Sequence, residues 1–174
     1  MAKYLVEPVD EEVCFDKDEI IVSKTDLKGR IIYANDVFCR VAGFSTAEVL
    51  GEPHSMIRHP DMPRCVFKLL WDTLESGNEI FAYVKNMARD GRYYWVLAHV
   101  TPTFDANGQI VEYHSNRRFP NKASVKAIEP LYAELLAVEN KASNAKQGME
   151  EAAALLVQKL QDMGKSYDAF IWEI

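Results

Sequence analysis

The chain has 174 residues, 48% of them hydrophobic, and a formal charge of −6 from 20 Lys and Arg against 26 Asp and Glu. That length allows one domain of about 100 to 150 residues plus an appendage. The acidic balance, with Arg117-Arg118 as the only adjacent basic pair, excludes a nucleic-acid partner, and the longest run free of charged side chains, Tyr93 to Phe104, is far shorter than the roughly 20 apolar residues of a membrane span.

Taken along the chain, residues 1–19 carry seven acids (Glu7, Asp10, Glu11, Glu12, Asp16, Asp18, Glu19) and few periodic apolar positions beyond Val13 and Phe15. This is the pattern of a loose or docked acidic arm. These acids also leave no room for an apolar signal segment, and Cys14, Cys39 and Cys65 are odd in number with no CxxC, so the reading is a cytoplasmic protein with reduced thiols.

Two β-branched runs, 20–25 and 30–34, flank Asp26-Leu-Lys-Gly29, a turn with glycine for the positive φ, and make a first hairpin. Residues 35–77 read as helical. Ser45-Thr-Ala-Glu48 is a capping box, and Asp61 followed by Pro63 places an N-cap acid before Val66, Leu69, Leu70 and Leu74, predicting a helix over 62–76 that stops at Gly77. Three more strands follow, 80–86, 92–100 and 109–115, joined through Asp90-Gly91 and Asn107-Gly108. Five short strands linked by tight turns predict an α+β fold: a five-stranded antiparallel sheet with short helices on one face.

After residue 120 the composition shifts to Ala, Glu, Lys and Leu. Leu131, Leu135, Val138, Ala142, Ala145, Met149, Ala152 and Leu156 alternate spacings of four and three, and the pattern resumes after a one-residue skip at Leu160, Met163, Tyr167, Phe170 and Ile174. Residues 121–174 are therefore a helical tail, either a coiled coil that makes a homodimer or a helical hairpin, with a bend or a change of packing partner expected near 156–160. The small seam residues leave both open, and the heptads tilt the reading to a dimer. The organisation is arm 1–19, a sheet-bearing domain 20–120, tail 121–174.

The element order of 20–120 is that of a PAS domain. The segment Gly51-Glu-Pro-His-Ser-Met-Ile-Arg-His-Pro-Asp-Met-Pro63, with Tyr33-Ala-Asn-Asp36, Gly43-Phe-Ser45, Val84-Lys-Asn86 and Tyr94-Trp-Val96, resembles the sensory PAS domain of bacterial aerotaxis transducers. The resemblance implies non-covalent FAD, sensing of redox, oxygen or energy state, and a signalling partner of the chemotaxis system.

A flavin needs an apolar slot, donors and acceptors for its polar edge, and a mouth for its chain. Asn35 and Asn86 suit the pyrimidine edge, although Asn35 could equally be a helix N-cap and Asn86 could shape a turn. Arg58, His59 and Asp61 form a polar cluster beside a helix start, where the purely structural reading is a clasp of Arg58 on a capping Asp61. The resemblance favours Arg58 and His59 as cofactor contacts and leaves both roles open for Asp61. His54 aligns with the segment that supplies the reactive cysteine of the related LOV domains, so a thiol adduct is not expected. Trp71 and Trp95 could stack on the cofactor, while large aromatics are more often core.

A haem gas sensor with His54 or His59 as axial ligand, and a cofactor-free interaction module, are the competing readings. No nucleophile elbow, phosphate loop or metal-ligand cluster is present in the sequence, so an enzyme is not expected.

Overall fold

The computed structural model describes residues 6–174, and the first five residues of the acidic arm lie outside the described residues. Strands β1 (Ile21–Thr25) and β2 (Ile31–Ala34) form the first hairpin. Its turn closes because Asp26 Oδ1 accepts from the N–H groups of Lys28 and Arg30 (2.8 and 2.9 Å) and Gly29 adopts φ 74°. Helices α1 (Asp36–Ala42) and α2 (Thr46–Val49), a 3-10 turn at His54–Ile57 and α3 (Arg64–Glu75) follow. Strands β3 (Ile80–Met87), β4 (Tyr93–Phe104) and β5 (Ile110–Arg118) complete an antiparallel sheet of order β2-β1-β5-β4-β3.

Alternation along each strand sends every second side chain to the face that α1 to α3 cover. There Ile21, Ile31, Ile80 and Val96 meet Phe38, Val49, Ile57 and Leu74, all at most 2% exposed. Each such side chain contributes roughly 1.5–3 kcal/mol by leaving water, which anchors the helices over the sheet.

Edge strand β3 would present unpaired main-chain groups, a liability for any sheet. Three contacts cover it. Arg58 makes a backbone bridge to Asn86, Met62 Sδ accepts from the Lys85 N–H (3.3 Å), and the Tyr132 hydroxyl donates to the Tyr83 carbonyl (2.8 Å).

Tyr132 belongs to the tail, which forms α4 (Lys122–Lys141), α5 (Ala145–Asp162) and α6 (Tyr167–Glu173). Helices α4 and α5 form a hairpin, clipped by Lys159 to Glu134 (2.8 Å), and α5 packs on α3. The chain turns at Ala142–Asn144 and again after Met163, while α5 runs unbroken through 156–160, so of the two readings of the heptad skip the bend does not occur there. The turn is set by Asn144, whose side chain accepts from the Gln147 N–H (2.9 Å) and starts α5 anew. Helix α6 returns to β3, with Trp172 tilted against Phe81 at 4.6 Å.

The described part of the arm is docked. Val13 donates to the Tyr93 carbonyl (2.7 Å), Tyr93 donates to Glu11 (3.0 Å), and Phe15 packs edge-on to Phe119 at 5.4 Å. The arm thus pairs with the start of β4, ahead of the stretch that β5 occupies.

Candidate cofactor cleft

Between the sheet and α3 lies a cavity of about 300 Å³. Its floor is the inner face of the sheet: Ser23 and Thr25, Val84 and Asn86, Ala98 and Val100, and Tyr113, Ser115 and Arg117, alternate residues of four neighbouring strands. Phe67, Leu70, Trp71 and Leu74, at the spacing of one helix face, make its roof, and Pro53, His54, Ser55 and Arg58 make a side wall. The volume is at the small end for a ligand cavity, enough for a planar ring system with the rest of a larger ligand outside.

The floor carries a buried charge. Arg117 is 2% exposed, donates to Ser23 Oγ and to His54 Nε2 (3.2 Å), and lies 5.1 Å over the Phe38 ring, while its Nε has no partner. Burial pushes its pKa down to about 10, and no carboxylate among the described residues pairs with it. Burial and the Arg117 charge together push His54 down to about 3, so the imidazole is neutral. Asn86 is 4% exposed and its Nδ2 is also without a partner, as is the hydroxyl of Tyr94, its neighbour in register on β4. A buried donor left unpaired costs about 1–3 kcal/mol, so a cleft with two such donors is matched to an acceptor-rich ligand.

Of the eight positions singled out in the sequence, four line this cavity: His54, Arg58, Trp71 and Asn86. Trp71 sits against Gly29, where a Cβ would stand 3.3 Å from the indole, and edge-on to Tyr113 at 5.4 Å. The other four are not brought to it. Asn35 spends its amide on the fold: Oδ1 accepts from Val22 and Phe38 (both 3.0 Å), capping α1, and Nδ2 donates to the Ile20 carbonyl (2.9 Å). His59 is buried, and its Nδ1 accepts from the Asp61 N–H (3.1 Å) while its ring meets Tyr93 edge-on. Asp61 neither clasps Arg58 nor caps α3. It pairs with Lys85 (2.7 Å). Trp95 opposes Lys85 on the far face of the sheet and stacks with Tyr132 of the tail. Asp61 and Trp95 instead border a second recess, between the sheet and α4.

Sequence reasoning missed Arg117, Ser23, Phe67, Tyr113 and the exposed Lys28 at the mouth. Strand alternation counted forward from Tyr113 through Ser115 places Arg117 on the same face of β5.

A PAS fold family model matches residues 31–117, and the chain belongs to that family. PAS domains of this kind are sensor modules of signalling proteins rather than enzymes. The chain is 41% identical over 118 residues to the aerotaxis receptor of Escherichia coli K12, a match that covers 68% of this chain and 23% of that receptor, so it spans about a quarter of the receptor's length. Among solved structures, the dark form of the blue-light photoreceptor aureochrome1 LOV is similar, with a TM-score of 0.54, 26% identity and coverage of 69% of this chain and 83% of that one. A light-oxygen-voltage domain studied with a flavin analogue superposes with a TM-score of 0.56 at 22% identity, over 63% of this chain and 82% of that one. No helix among the described residues is long and apolar enough to cross a membrane.

Proposed function

We propose that the cleft holds a flavin, as FAD, without a covalent bond, and that the chain serves as a cytoplasmic redox or oxygen sensor for a signalling partner of the chemotaxis type. The observation that carries this reading is the pair of unpartnered buried donors, Asn86 Nδ2 and Arg117 Nε, in a slot roofed by Trp71 and Phe67. When bound, a flavin supplies reversible reduction. Asn86 and Arg117 would hold its polar edge, Trp71 and Phe67 would exclude water from its ring, and Lys28 with Arg58 at the mouth suits a pyrophosphate. The similarity to an aerotaxis receptor and to LOV structures points the same way.

Haem has less support. The His54 Nε2 that faces the interior already accepts from Arg117, and His59 lies outside the cavity. No cysteine lines the cavity, and the Cys65 thiol, pushed up to about 12 by burial and by Glu139, is no nucleophile, so a light-driven thiol adduct has no chemistry here. The test is an FAD titration of the purified chain and of Asn86→Ala and Arg117→Ala, with far-UV circular dichroism as the folding control. Both variants should lose flavin; a folded double variant that binds FAD like the parent would refute the assignment.

A further inference from the structure

Helix α3 begins without a cap of its own, because Pro63 precedes it and offers no side-chain acceptor. Its first free N–H groups are taken by the tail. Glu139 of α4, 4% exposed, accepts from Arg64 N–H through Oε2 (2.9 Å) and from Cys65 N–H through Oε1 (2.8 Å). An ionised acceptor at a helix N-terminus makes strong bonds and complements the helix dipole. This polar contact between the tail and the PAS domain lies at one end of the helix that roofs the cleft.

Near the same helix start stands Arg58. Its Nη2 donates to the Met62 carbonyl (2.9 Å), its guanidinium lies 4.4 Å over the Phe67 ring in the first turn of α3, and it lines the cavity. The Glu139 carboxylate also acts on this guanidinium, opposing the effect of its burial. Cleft, Arg58, α3 start and tail are therefore one continuous set of contacts.

We infer that Glu139 is a latch by which the state of the cleft sets the docking of the tail: a ligand acceptor that engages Arg58 weakens the hold of Glu139 on α3 and frees the α4–α5 hairpin. Two effects act in the same direction. A ligand that draws Arg58 off Met62 and Phe67 shifts the turn whose amides Glu139 needs, and negative charge at Arg58 offsets the attraction between the guanidinium and Glu139. By linkage, releasing the tail must change ligand affinity by the same factor. The inference rests on the proposal that the cleft takes a ligand, and it adds the route by which occupancy reaches the tail.

The test is hydrogen exchange of the full chain, read at the amides of α5, for the parent, Glu139→Gln, Arg58→Ala and the double variant. Glu139→Gln should exchange about ten- to a hundredfold faster, the loss expected for hydrogen bonds to a charged group. Arg58→Ala should accelerate α5 in the parent background and add nothing in Glu139→Gln; equal acceleration in both backgrounds would overturn the latch. Saturating FAD, with uptake read by absorbance, should accelerate α5 about fivefold or more in the parent and leave Glu139→Gln unchanged. FAD that binds without changing α5, or that slows it, overturns the latch and leaves the flavin reading intact. FAD that fails to bind ends the flavin reading, and the Arg58 arm then decides the latch by itself.

Discussion

Nε2 of His54 stands 3.2 Å from Nη1 of Arg117, so a neutral imidazole accepts a hydrogen bond from a guanidinium that the described residues leave without a counter-charge. The same nitrogen lies 3.2 Å from Ser23 Oγ. With Nε2 engaged as an acceptor, the ring proton belongs on Nδ1. The cleft floor therefore carries one fixed positive charge and one neutral, oriented ring.

That pair makes stability depend on pH. His54 binds its proton at about pH 3 in the folded chain and near pH 6.5 when unfolded, so the unfolded state holds more protons between these values. Its contribution is complete above about pH 6.5 and is lost as pH falls toward 3, by at most about 1.4 kcal/mol per unit of pH. His54→Gln should flatten the difference between the melting curves at pH 7 and pH 4.5 relative to the parent. His59, also pushed down by burial and by Lys85, is common to both proteins. An unchanged pH dependence in the variant would mean that the imidazole is not held neutral.

The two tryptophans should separate by function. Trp71 roofs the cleft and Trp95 packs on Tyr132 across the sheet. In a flavin titration Trp71→Ala should lose about tenfold or more in affinity, the worth of an aromatic contact plus its buried area. Trp95→Ala should bind flavin like the parent and loosen the tail to proteolysis. The reverse pattern would put the cofactor on the wrong face.

Tyr132→Phe removes the hydroxyl that satisfies the Tyr83 carbonyl on the edge strand. A net loss of about 1 kcal/mol is expected in urea unfolding, more if that carbonyl stays buried and unpaired. No loss would mean that the edge is covered by packing alone.

How far the sequence reached can be read from particular residues. Turn chemistry was legible, since Asp26 to Gly29, the Ser45 and Glu48 box, and the Asp90-Gly91 and Asn107-Gly108 turns are local and each closes as read, giving five strands in the expected order. The family motif located one wall of the cleft through His54 and Arg58. What it could not give was side-chain direction. Asp61 and His59 share a motif with Arg58 yet point elsewhere, because Lys85 captures Asp61 and the cap of α3 comes from Glu139. Arg117 was hidden by the rule that charges face water, and the turn at Ala142–Asn144 by a heptad count that does not register a reversal of the chain.

Two glycines test the long-range packing. Gly148 lies so close to α4 that a Cβ would stand 2.6 Å from the Glu139 carbonyl oxygen. Gly148→Ala should open the hairpin at a cost of about 1–3 kcal/mol, as overpacking against a backbone does. Gly91 has φ 90°, and a Cβ there would stand 2.3 Å from the Glu7 carbonyl, so Gly91→Ala should release the arm and expose it to protease. Parent-like melting in the first variant and an intact arm in the second would contradict these contacts.

The most direct measurement is the visible absorption spectrum of the purified chain before and after dithionite, with the chromophore released by heat and identified by chromatography. Two flavin bands that bleach on reduction, with FAD in the supernatant, are the result predicted from Asn86, Arg117 and the Trp71 roof. A Soret band, or a colourless chain that takes up no added FAD, would contradict it.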